Sequence, residues 1–154
     1  MITCAIIGAT GLVGSTFLKV LEEKKLPIDE YYLFASKNSK GKKVKFMDKE
    51  YVVEELTHDV PKRAFNYALF SAGGAISKEY AKEFIENGTT VIDNSSAFRM
   101  NEDVPLVVPE VNFETIDKAK LIANPNCSTI QAVVNNMRTN KNTIIVGEIK
   151  YGDI

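Results

Sequence analysis

One stretch of the chain carries residue types that could form and break a covalent bond, Asn124-Pro-Asn-Cys-Ser-Thr-Ile-Gln131. As a thiolate, Cys127 would be a nucleophile. A strand-like apolar run, Leu121-Ile122-Ala123, precedes it, and a helix-like run, Thr129 to Val134, follows. Pro125 and Asn126 force a turn between the two, and Asn126 or Ser128 is placed to cap the helix. Cys127 therefore falls at or beside a helix N-terminus. Unpaired N–H groups and the helix dipole favour an anion there, whether a thiolate or a developing oxyanion.

A second set of residues could hold a dinucleotide. Gly8-Ala-Thr-Gly11-Leu-Val-Gly14 has the spacing G-x-x-G-x-x-G. It follows a continuous apolar run, residues 2–7, and opens a segment where Val13, Phe17, Leu18, Val20 and Leu21 recur at helical spacing. In that setting glycines let the backbone approach a pyrophosphate resting on the helix N-terminus. The alternative is a tight strand-to-helix turn that needs glycine only for its geometry.

The next strand, Tyr31 to Ala35, ends where NAD-binding chains usually carry an acid for the ribose. Here the sequence is Ser36-Lys-Asn38-Ser39-Lys-Gly-Lys-Lys43. Hydroxyls, an amide and four lysines suit a 2′-phosphate, hence NADP; a solvated lysine loop is the alternative.

Two further strand candidates end in the same way. Ser71-Ala72-Gly73-Gly74 follows Tyr67 to Phe70, and Asp93-Asn-Ser-Ser-Ala-Phe-Arg99 follows Thr90 to Ile92. Three strands thus bring glycine or small polar residues to one rim, where open α/β sheets bind ligands. Arg99 is the candidate anion binder of that rim, through a two-point guanidinium grip; a solvated surface arginine is the alternative. His58, the single histidine, lies between Thr57 and Asp59 in a polar stretch and reads as a surface residue.

These residues require an α/β fold, a doubly wound, mostly parallel sheet with helices on both faces. A hairpin is expected from Val44–Phe46 and Tyr51–Val53, and Pro109 suits the first position of a helix. With 45% hydrophobic and 25% charged residues, the composition is that of a globular protein. The net charge of −1 offers no broad basic field for nucleic acid. No run reaches membrane-spanning length, and residues 2–7 read as a strand rather than a signal segment. Cys4 and Cys127 make no disulfide framework or metal set, so a reducing, cytoplasmic setting is expected. Cys4, inside the first strand, reads as a small buried hydrophobe.

With these pieces in order, residues 1–134 resemble aspartate-semialdehyde dehydrogenase. The resemblance rests on Gly8-Ala-Thr-Gly-Leu-Val-Gly14, Ser71-Ala-Gly-Gly74, Asp93-Asn-Ser-Ser-Ala-Phe-Arg99, Val108-Pro-Glu-Val-Asn112 and Asn124-Pro-Asn-Cys-Ser-Thr-Ile-Gln131. It implies a Rossmann-like NADP-binding domain with Cys127 as nucleophile and Arg99 as anchor of the phosphate group, joined by Asn94 and Asn126. It also implies contact of Thr10, Gly11, Leu12, Val13, Asn38 and Ser39 with NADP. Asn38 stands where many members carry arginine, which keeps NAD open beside NADP.

The implied reaction interconverts 4-phospho-L-aspartate and L-aspartate 4-semialdehyde, with phosphate, through a Cys127 thioester, on the way to lysine, threonine and methionine. N-acetyl-glutamyl-phosphate reductase shares this architecture and chemistry but normally surrounds its cysteine differently.

The family also implies a second domain that supplies a histidine as acid–base group and most of a dimer interface. That domain is expected to be missing here, leaving a chain that binds NADP without full activity, or serves as a non-catalytic NADP-binding or interaction fragment. Residues 135–142 read as a polar turn, and 143–154 as a strand-like piece out of family order. An internal deletion or a divergent tail would account for it. Without the family's closing helix, one sheet face should be partly uncovered, inviting self-association or a partner.

Overall fold

The structure, a computed structural model, describes residues 1–139, with the backbone alone for 136–139. The expected strand-like piece at 143–154 lies outside the described residues. In chain order the elements are β1 (Thr3–Ile7), α1 (Leu12–Lys24), β2 (Glu30–Ala35), β3 (Lys43–Phe46), β4 (Lys49–Val52), β5 (Glu54–Glu55) and β6 (Tyr67–Phe70). Then come α2 (Gly74–Glu86), β7 (Thr90–Asp93), α3 (Pro109–Asn112), β8 (Leu121–Ala123) and α4 (Cys127–Thr139).

Six strands form one sheet in the order β5-β2-β1-β6-β7-β8. Every pairing in it is parallel. The chain steps from β1 outward to β2, then returns to build on the other side of β1 from β6. The connections after β1 and β6 therefore leave toward opposite faces, and a crevice opens between them at the carboxyl ends.

Alternation along the strands builds two cores. Ala5, Ile7, Phe34, Ala68, Phe70 and Val91 face α2, which returns Tyr80, Ala81 and Phe84. Cys4, Ile6, Tyr31 and Leu33 face the other way, onto Leu18 and Leu21 of α1. Phe34, Phe70 and Phe84 are fully buried, each worth about 2–3 kcal/mol over exposure.

The expected hairpin is β3 and β4, closed by Met47 and Asp48 at φ 52° and 59°, the left-handed pair that a two-residue turn demands. Phe46 packs edge-on against Tyr31 at 4.8 Å, and Met47 N–H donates to the Glu22 carboxylate at 2.9 Å. Both contacts bind the hairpin to the α1 side.

Two features differ from the sequence expectation. α4 starts at Cys127 rather than Thr129 and continues five residues beyond Val134 to Thr139, into the stretch read as a polar turn. The apolar spacing ends at Val134, but no glycine or proline follows to stop a helix already nucleated. The segment before α3 also joins the sheet edge, with Leu106 bridged to Ala123 and Val107 N–H donating to Ala123 O at 3.0 Å.

On the α1 face, Leu69 and Ile92 are only half-buried and Tyr67 is 42% exposed, so among the described residues this face is partly uncovered. No helix among the described residues is long and apolar enough to cross a membrane.

Candidate functional site

The glycine turn after β1 is pinned to β2. Gly8 N–H and Ala9 N–H both donate to Phe34 O, at 2.8 and 3.1 Å. Gly8 holds φ 87°, and a Cβ there would lie 2.9 Å from the backbone of Ser71 and Ala72. A Cβ on Gly14 would lie 2.1 Å from Gly8 O. Glycine therefore lets α1 close onto the turn and lets the end of β6 come against it.

Gly11 sits at the N-cap of α1 without a side-chain cap, and no acid occupies the first turn. The helix N–H groups there are open to an anion. Leu12 and Val13, which begin α1, stand 87% and 39% exposed.

A cavity of about 370 Å³ opens at this point, with Gly8, Thr10, Gly11, Ser36, Ser71 and Ala72 among its lining. Its far wall is apolar, from Leu56 after β5 and Ile76 and Tyr80 on α2. Polar backbone at one end and an apolar slot at the other fit a nucleotide, phosphate toward α1 and base toward α2. Sequence reasoning missed Leu56, Ile76 and Tyr80, because helical and strand spacing marks them only as core-facing.

The loop expected to read the ribose is a short 3-10 turn, Lys37–Ser39. Ser36 reaches the cavity and Asn38 is exposed, but Ser39 is turned inward. Thr10 Oγ1 donates to Ser39 Oγ at 3.1 Å, which ties this turn to the glycine turn. Two of the four lysines are engaged, Lys40 with Glu55 and Lys43 with Glu50. Lys37 and Lys42 have no ion pair among the described residues. Gly73, at φ 92°, is the N-cap of α2.

Across the rim, Asn126 caps α4. Its Oδ1 accepts Ser128 N–H at 2.9 Å and its carbonyl accepts Ile130 N–H at 2.9 Å. Of the two candidate caps the structure thus selects Asn126, and Cys127 becomes the first residue of α4. The Cys127 thiol is exposed, with Sγ 3.9 Å from Asn126 Oδ1.

Arg99 is built in rather than solvated. Its Nε donates to Asn124 O at 2.9 Å and one terminal nitrogen to Asn94 O at 2.9 Å. It has no carboxylate partner among the described residues. Asn124 Nδ2 donates to Asn94 Oδ1 at 2.6 Å, so the loop after β7 and the turn before Cys127 are one bonded unit. Asn124 received no role from sequence reasoning, although it opens the cysteine stretch.

The other cysteine is of a different kind. Cys4 is 1% exposed, and burial pushes its thiol up to about 12. His58 lies against α2, stacked on Tyr80 at 4.8 Å and bonded to Glu83 at 2.8 Å. No histidine, carboxylate or amine is bonded to Cys127 Sγ among the described residues. No cluster among them has the ligands for a metal ion.

The family model for the semialdehyde dehydrogenase NAD-binding domain matches residues 3–119. The chain belongs to the semialdehyde dehydrogenase family. A relative of this semialdehyde dehydrogenase domain, the aspartate-semialdehyde dehydrogenase of Aquifex aeolicus, is 58% identical over 133 residues, 84% of this chain and 39% of that protein. The chain thus spans about two-fifths of the length of the curated relatives it matches.

Among solved structures, aspartate semialdehyde dehydrogenase II of Vibrio cholerae, complexed with ASA, superposes with a TM-score of 0.82 at 47% identity, covering 87% of this chain and 44% of that one. The Candida albicans aspartate semialdehyde dehydrogenase with NADP superposes with a TM-score of 0.73 at 27% identity, covering 84% and 44%. The fold is therefore that of this family, whose matching model describes its NAD-binding domain.

Proposed function

We propose that the protein works as an NADP-dependent aspartate-semialdehyde dehydrogenase, with residues 1–139 supplying the dinucleotide site, the anion anchor and the nucleophile. The observation that carries this reading is the bond from Arg99 Nε to Asn124 O. It fixes a guanidinium with spare donors to the turn that presents Cys127.

In the biosynthetic direction, the Cys127 thiolate attacks the acyl carbon of 4-phospho-L-aspartate. A C–S bond forms, the bond from the acyl carbon to the bridging phosphate oxygen breaks, and inorganic phosphate leaves with that oxygen. Arg99 holds the phosphate group, and Asn94 and Asn126 line its approach. NADPH, when bound along Gly8 to Gly14 and Ser71 to Gly73, supplies the hydride that reduces the thioester carbon. Release of Cys127 from that carbon then breaks the C–S bond and yields the semialdehyde. A thioester accepts hydride far better than a carboxylate, which is the advantage of covalent catalysis here.

Ser36, Asn38 and lysines 37 and 42, which have no ion pair among the described residues, favour a 2′-phosphate, and no acid at the end of β2 favours a bare ribose. These features support NADP over NAD.

The absence of an acid–base group bonded to Cys127 among the described residues supports a second reading. In it residues 1–139 bind NADP, and turnover needs a proton-transfer group from outside them.

Both are tested on this chain by titrating NADPH and NADH calorimetrically, then measuring phosphate-dependent NADP reduction with aspartate semialdehyde. Tighter NADPH binding with no reduction is expected of the chain alone. NADH binding as tight as NADPH would sink the cofactor assignment. Turnover that Cys127→Ala abolishes would establish the complete reaction in this chain and remove the second reading.

A further inference from the structure

The carboxylate of Asp93 has no part in the chemistry above, yet it is fully buried at the end of β7. Its oxygens accept from Ser77 Oγ at 2.7 Å, from Ser95 Oγ at 2.6 Å and from Ser95 N–H at 3.1 Å. No lysine or arginine pairs with it among the described residues. A buried carboxylate is costly, and only such a ring of donors offsets the loss of water.

The ring holds a loop in place. Ser95 Oγ donates to Asp93 and also accepts Ala97 N–H at 3.1 Å, so one hydroxyl folds residues 95–97 back over the strand end. Two residues on, Arg99 reaches Asn94 O and Asn124 O. Asn94 and Asn124 are themselves anchored by backbone, Asn94 N–H to Phe70 O at 3.0 Å and Asn124 N–H to Asp93 O at 2.8 Å. Between these fixed points, the reversal from 94 to 99 is locked from the side-chain side by Ser95 and Asp93.

We propose that Ser95, locked by Asp93, is the positioning residue that sets the Arg99 guanidinium against the Cys127 turn. The functional consequence rests on Arg99 being the anion anchor. Ser95 acts through the loop and is in neither the cofactor set nor the nucleophile's contacts.

Ser95→Ala removes the single oxygen concerned, and Ser95→Thr keeps it. Two readouts separate the geometry from the function. The Arg99 Nε–H signal in proton–nitrogen NMR, with its hydrogen exchange, reports the bond to Asn124 O with no ligand present. Slowing of iodoacetamide alkylation of Cys127 by inorganic phosphate reports the anion site.

Ser95→Ala is expected to speed Arg99 Nε–H exchange about tenfold and to raise the half-protecting phosphate concentration about tenfold, the size of one lost hydrogen bond to a charged group. Ser95→Thr restores both. An Arg99 signal and exchange rate unchanged in Ser95→Ala overturn the proposal, as does a change that Ser95→Thr fails to restore. If phosphate gives the wild-type chain no protection while the Arg99 signal still depends on Ser95, the positioning stands and the anion reading falls.

Discussion

The two halves of the sheet rim are built on different physical terms. On the β1-β2-β6 side, backbone packs on backbone: the glycine turn touches the end of β6, hangs from Phe34 O and sits above two apolar cores. On the β7-β8 side, the site is held by polar side chains: Asp93 holds Ser95, Arg99 reaches Asn94 O and Asn124 O, Asn124 is bonded to Asn94, and Asn126 caps α4. α4 presents Cys127 exposed, and Gln131, Ala132 and Asn135 on the same helix are exposed as well. The first region is a rigid socket closed by sterics. The second is a polar cradle that keeps the Cys127 thiol exposed. The contrast suits the proposed function: a dinucleotide needs a fixed surface along its length, whereas a thiol that bonds substrate must remain open on the side from which substrate arrives.

The sharpest test of that contrast is Gly14→Val. Its side chain must occupy the 2.1 Å between Cβ and Gly8 O, where backbone cannot yield. A loss of more than about 4 kcal/mol is expected, seen as failure to fold or a collapsed thermal midpoint. A Gly14→Val chain that folds normally and binds dinucleotide would show that the socket is far softer than its geometry.

Phe84→Ala, which empties fully buried volume under α2, is expected to cost about 3–5 kcal/mol in denaturant unfolding. Val133→Ala on the half-buried face of α4 should cost about 1 kcal/mol or less. Equal costs would break the distinction between the two regions.

Cys127→Ser should leave stability within about 0.5 kcal/mol, since the thiol is exposed, while removing fast alkylation of the folded chain. Residual fast labelling in that variant would mean that Cys4 is accessible after all.

The alkaline effect is absent at neutral pH and grows only above pH 9. Burial raises Cys4 from 9.0 to about 12. Above pH 9 the unfolded chain therefore gives up a proton that the fold retains, and stability declines as pH rises across that window. Tyr31 and Tyr51, both raised mainly by burial, add slope of the same sign. Cys4→Ala should flatten the decline in part, measured by urea unfolding at successive pH values; an unchanged slope would assign it to the tyrosines.

Much of the site was legible because its residues act locally. Gly8 and Gly14 announce a turn that admits no Cβ, and Pro125 and Asn126 announce a break followed by a cap. Alternation in residues 2–7 and 67–70 could not be seen, since both faces of these strands are buried, but the unbroken apolar run itself marked a parallel sheet. The length of α4 was misjudged because a helix outlasts the apolar spacing that reveals it.

By itself the sequence determined the strand–turn–helix units, the single rim that carries their ends, and the place of Cys127 at a helix start, all through backbone rules that operate within a few residues. Only the tertiary structure decided which alternatives held. It turned Ser39 away from the cavity and Arg99 toward Asn124. It made an inert thiol of Cys4 and supplied Leu56, Ile76 and Tyr80 as a wall. Those outcomes depend on burial and on hydrogen bonds between segments 25 or more residues apart, which no local spacing encodes.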